Sequence, residues 1–308
     1  MTPTTQQEDL FSQSANSKNL PLSVPQDALP PTSFATDGLS VIRRVCKAAG
    51  EEVKNLQAQL ENRRKEERFL TDVLHFAESG WHFHLLELLE KEKLRITDLQ
   101  NADPDLTTML EQQRNTAKTQ GENVLGRFVS LFPDECKAVG IAIDRECRHP
   151  RYTFDERFLT LEINGKKSEA TLSTIEGRLG KKPADIPALV AWLCQERKRL
   201  FERKFDGNKF LKTVRKAYKA VLAKNRKNDG ESVPVRDVLK RMGGKMDELN
   251  VDLSKLAHLN PQPSVDGRRI DFQQSKDTEK GMFLWKSTGG YIGFVSFKTE
   301  PKPEENQT

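Results

Sequence analysis

The sequence predicts an α+β protein that is predominantly helical, built from three folded parts in series. Three observations carry this. Apolar residues recur in steps of three and four from Leu39 to Trp81, the period of one helix face. Two alternating stretches flank Asn164-Gly165, the local pattern of a β-hairpin. After Gly207 the chain reads as a helix, a short extended piece, two more helices and then three strand-like stretches.

In order, residues 1–36 are rich in Ser, Thr, Gln and Pro, which predicts a disordered arm, with Leu20 to Leu29 as one candidate docking peptide. Residues 37–120 read as a helical hairpin or coiled coil. Asp37 is placed to cap a helix whose Leu39, Ile42, Cys46, Ala49, Val53, Leu56 and Leu60 form a narrow seam, interrupted at Arg63 and Glu67. Gly80 is a candidate turn. Beyond it Trp81, Phe83, Leu85, Leu86, Leu88 and Leu89 crowd a helix too broadly for a two-stranded seam, so another helix or a protein partner has to cover it; with Leu56 and Leu60 of the seam they are the expected partner-binding residues. Pro104 starts the next helix, over about 105–120.

Residues 121–206 read as a small α/β domain: a short helix over 124–131, a turn at Pro133, the hairpin over 158–173, and a helix from Pro187, which suits a first turn. Residues 207–298 carry the ordered series above, with predicted helices over 208–224, 236–242 and 251–259, strands over 268–274, 282–286 and 291–298, and a flexible tail over 299–308. That series resembles a winged-helix domain. Combined with a helical arm, it is similar in design to kleisin-like or accessory subunits of bacterial SMC-type ATPase complexes, including some used in antiviral defence. The resemblance covers residues 37–120 and 208–298 and rests on element order, not on a motif. It implies a coiled-coil ATPase as partner, the helix over 250–258 with Lys255 as reader, and the turn from Lys286 to Gly290 as wing.

Charge points to the ligand class. The chain carries a formal +5, yet Arg197 to Lys227 holds thirteen Lys or Arg against Glu202 and Asp206, leaving the remainder acidic. Lys209, Lys212, Arg215, Lys216, Lys219, Lys224, Arg226 and Lys227 form the main candidate phosphate-binding set. Arg236, Lys240, Arg241 and Lys245 form a second patch, and Arg268-Arg269 opens the terminal strands. Trp285 and Tyr291 could stack on bases or simply pack. These features predict a non-enzymatic adaptor for duplex DNA. A solubilising face, or an assembly protein binding an acidic partner, accounts for the same residues.

Catalytic signals are weak. Gly177 to Lys182 reads GRLGKK and lacks the Ser or Thr that completes a phosphate loop. His75, His82 and His84, like Cys136, Cys147 and His149, make incomplete metal sets. Asp144, Asp155, Glu162 and Lys166 could be invoked for a metal-dependent nuclease, without the spacing that such a site needs. No intrinsic cofactor or metal is predicted. The four cysteines, Cys46, Cys136, Cys147 and Cys194, form no paired motif, and neither a signal peptide nor an apolar run long enough to span a bilayer is evident. The expected location is cytoplasmic or nucleoid-associated.

Overall fold

The computed structural model describes residues 34–276, 281–285 and 291–299. The expected arm over 1–36, the tail beyond 299 and the wing turn with Lys286 therefore lie largely or wholly outside the described residues. The fold is mixed α and β, mostly helical, with antiparallel sheets. The chain divides into two units, at Arg64 and Lys65.

The first unit contributes the N-terminal part of helix α1, Phe34–Glu78. Asp37 lies inside this helix, three residues beyond its start. Residues 39–64 are all exposed.

The second unit begins with three helices that cover the end of α1: α2 (His82–Lys91), α3 (Lys93–Ala102) and α4 (Pro104–Gly126). Gly80 makes the expected turn at φ 66°, a conformation that costs glycine little. Phe69, Val73, Leu85, Leu89, Leu99, Leu110 and Ala117 form one core. The broad apolar face of α2 is thus covered by the chain itself. Phe83, Leu85 and Leu89 are buried, and Trp81, Leu86 and Leu88 half-buried, so of the residues expected to bind a partner only Leu56 and Leu60 stay exposed. The cause is α4, which turns back along α2 and buries side chains each worth about 2 kcal/mol. Gly121, where a new domain was expected to begin, lies within α4; a Cβ there would sit 3.0 Å from the Phe83 ring, so glycine permits the close crossing.

Helix α5 (Phe128–Ala138) contains Pro133, where a turn was expected. Four strands follow as an antiparallel meander: β1 (Arg151–Phe154), β2 (Leu159–Asn164), β3 (Glu169–Thr174) and β4 (Gly177–Pro183). The hairpin around Asn164-Gly165 pairs Leu161 with Leu172. GRLGKK forms the edge strand β4. Helix α6 (Ile186–Phe201), with Pro187 in its first turn, packs with α5 over a core that includes Phe128, Phe132, Leu161, Leu172, Leu189 and Leu193.

The remaining elements are α7 (Gly207–Lys224), β5 (Val233–Pro234), α8 (Val235–Met242), α9 (Met246–Ala257), β6 (Ser264–Val265), β7 (Arg268–Gln274), β8 (Met282–Phe283) and β9 (Tyr291–Thr299). Their sheet runs β5-β9-β7-β6, with β8 pairing β9. Leu211, Val214, Tyr218, Val238, Leu253, Ile270, Val295 and Phe297 fill the core between helices and sheet.

Candidate nucleic-acid interface

Helix α7 begins at Asp206, whose carboxylate accepts the Lys209 backbone N–H at 3.0 Å and caps the helix. The inner face, Leu211, Val214, Ala217, Tyr218, Val221 and Leu222, is buried. The helical period then turns Lys209, Lys212 and Lys216 to solvent. None of these three side chains forms an ion pair with the described residues. Toward its C-terminus, α7 meets α8 along an open groove of about 520 Å³ lined by Ala220, Val221, Lys224, Asn225, Asp237, Lys240 and Arg241. Lys224, Lys240 and Arg241 are exposed, so three cations and one carboxylate face a space large enough for a phosphate and its waters. Arg226 is also exposed just past the helix.

Several expected contact residues serve the fold instead. Arg215 is buried: its two terminal nitrogens donate to the two Asp229 oxygens at 2.6 and 2.5 Å, and its guanidinium lies 4.7 Å from the centre of the Phe297 ring. Lys219 donates to Asp266 at 2.8 Å. These cations hold the Asp229 and Asp266 carboxyls below the usual range. Lys227 caps the Ser232 carbonyl at 2.7 Å.

The largest departure concerns α9. Glu176, in the turn between β3 and β4, accepts from Arg236 at 2.7 Å and from the Asn250 side-chain amide at 2.8 Å. Arg199 pairs with Asp247 and Glu248, and Arg203 with Glu248 and Asp252. Lys255 donates to the Phe201 carbonyl at 2.8 Å, and burial pushes its ammonium pKa down. Asn250, Val251, Leu253, Ser254 and Leu256 are buried. The expected reader helix is therefore an internal joint between α6 and the C-terminal sheet, and Arg236 and Lys255 are committed to it. Lys245 is exposed beside that joint, 4.0 Å from Glu248.

A division of labour by chemistry follows. Arg197, Arg199, Arg203 and Arg215 all make internal pairs, Arg197 through two bonds to Asp155. Lys209, Lys212, Lys216 and Lys224 remain outside. The planar guanidinium fork suits buried two-bond pairing, whereas a compact ammonium is better left hydrated. Sequence reading missed Asp229, Asp247 and Asp266 as the counter-charges. One signal was legible: Asp266-Gly267 is a hairpin turn dipeptide, and both residues adopt positive φ, at 54° and 65°, which aims Asp266 at α7.

No family model, curated protein or solved structure matches this chain.

The remaining candidates do not converge. Asp144 accepts backbone N–H groups of Glu156 and Arg157, Asp155 holds Arg197, and Glu162 faces solvent from β2. His84 is hydrogen-bonded to Asp185 at 2.7 Å and His75 contacts Ser79. Among the described residues, no group of three or more His, Cys, Asp or Glu is placed to hold a metal ion, and no helix is long and apolar enough to cross a membrane. Trp285 packs against Phe201 with ring centroids 4.4 Å apart and the planes tilted by 30°, and Tyr291 packs on Phe283.

Proposed function

We propose that the chain is a non-enzymatic adaptor that holds duplex DNA through its phosphates, using the outer face of α7 and the groove between α7 and α8. The observation that carries this is the placement of Lys209, Lys212, Lys216, Lys224, Lys240 and Arg241, exposed and without ion pairs to the described residues, while neighbouring arginines are consumed internally. The order of elements over 207–298, with β9 between β5 and β7, supports a winged-helix reading of this region. With α9 covered, the helix that the winged-helix resemblance assigns to the major groove is not free to enter it, and the exposed lysines of α7 and α8 favour recognition of phosphate spacing over base edges. The design also suits an accessory subunit of an SMC-type assembly, in which an ATPase partner would supply any chemistry.

The test is titration of duplex DNA, single-stranded DNA, RNA and a charge-matched acidic polymer across a range of salt. If all six cations neutralise phosphates, the log–log salt slope for duplex DNA is about −5. Reversing Lys212, Lys216 and Lys240 to Glu should flatten that slope by about 3 and leave the unfolding curve in place. Equal affinity for all four polymers would reduce the site to unspecific electrostatics, and unchanged affinity in the triple variant would remove this surface as the contact.

A further inference from the structure

The N-terminal part of α1 presents an apolar stripe that none of the described residues covers. Leu39, Ile42, Val53, Leu56 and Leu60 are each more than half exposed, and Cys46 and Ala49, which complete the series, are exposed as well. Their spacing is 3, 4, 3, 4, 3, 4, a strict seven-residue repeat with Leu39, Cys46, Val53 and Leu60 at one seam position and Ile42, Ala49 and Leu56 at the other. A 3.5-residue period sustained over three heptads is the signature of a helix that supercoils with another helix, and it drifts off the contact face of any flat or globular surface.

We infer that this segment forms a two-stranded, parallel, in-register coiled coil with a second copy of the same chain. Three features of the segment select that occupant. First, in-register parallel pairing makes seven layers, each of a residue against itself, from Leu39 to Leu60. The antiparallel arrangement that pairs Leu39 with Leu56 leaves Leu60 outside. Second, the flanks tolerate self-pairing. The residues before Cys46, Val53 and Leu60 each meet the residue five further along the other helix, giving Val45 with Gly50, Glu52 with Gln57 and Gln59 with Arg64. No like charges are opposed, whereas sequences built to refuse their own copy carry such repulsion. Third, the strand number is limited by width. Leu39 with Ile42 alone would suit more strands, but Val53 with Leu56 suits two. Arg43, Glu52, Gln57, Gln59 and Arg64 flank the stripe and would be desolvated in a trimer or tetramer. The stripe ends where Arg63 and Glu67 occupy its next two positions and Phe69 and Val73 turn into the chain's own core, so intermolecular and intramolecular packing use successive stretches of one helix.

The arrangement places the two Cys46 side chains in the same layer, directly across the seam, which gives the orientation its own readout. Sedimentation of the full chain at micromolar concentration should give twice the chain mass, and Val53→Lys with Leu56→Lys should halve it without moving the unfolding transition of the second unit. In a Cys194→Ser background, diamide oxidation should produce a covalent dimer that Cys46→Ser abolishes. A single-chain mass in the parent protein would overturn the inference, including the case in which a different coiled-coil protein is what binds the stripe. So would a dimer that survives the double Lys variant, or a dimer that fails to cross-link through Cys46.

Discussion

Arg215 separates the sequence expectation from the structure most cleanly, because a phosphate-binding cation and an internal staple respond differently to the same change. Its side chain is 4% exposed while that of Asp229 is 39% exposed. The two halves of the pair should therefore cost different amounts to remove. Arg215→Met deletes the buried charge, keeps the volume of the stem beneath Phe297 and Tyr218, and leaves Asp229 where water can solvate it. Only the cation–π contacts and the pair's net worth are lost, about 1 kcal/mol. Asp229→Ala leaves the guanidinium buried with Asp266 as its remaining acid, 3.6 Å from Nε. Orphaning a buried charge costs about 3–5 kcal/mol, and Asp266 offsets part of it, so about 2–3 kcal/mol is expected. The double variant should be no worse than Arg215→Met. Urea unfolding followed by circular dichroism measures all three, with DNA affinity taken on the same samples. If Arg215→Met weakens DNA binding strongly while Asp229→Ala leaves stability intact, Arg215 reaches outward and the reasoning fails.

Two further predictions concern other joints. Asp185, 2% exposed, accepts the backbone N–H groups of Phe83 and His84 at 2.9 Å each and bonds the His84 ring, so it satisfies the N-terminus of α2; Asp185→Ala should destabilise the second unit by about 2–4 kcal/mol, read as a lowered urea midpoint, and Asp185→Asn should cost less. Acid should loosen the C-terminal sheet. Asp229, Asp266 and Asp271 have folded pKa values below the ordinary 3.8 because of Arg215, Lys219 and Lys298 respectively, so the stability they contribute is present above about pH 4 and is lost as pH falls through the lower folded values. Asp252 runs the other way, since burial raises its pKa. Unfolding midpoints that do not fall between pH 5 and pH 3 would refute the assignment.

Local chemistry fixed much of this protein before any fold was known. The turn at Gly80, the hairpin at Asn164-Gly165, Pro187 in a first turn and the inner face of α7 all follow from glycine conformation, proline geometry and helical period, which act within a few residues. The long-range partners were not legible. Whether a lysine or arginine faces water depends on which acid the fold brings to it from 14, 48 or 60 positions away, as with Asp229 for Arg215, Asp247 for Arg199 and Glu176 for Arg236. Composition alone drew the basic stretch from Arg197 to Lys227 as one surface; tertiary pairing split it into an internal joint and an external stripe, according to which cations the fold brought within reach of Asp155, Asp229, Asp247, Glu248 and Asp266.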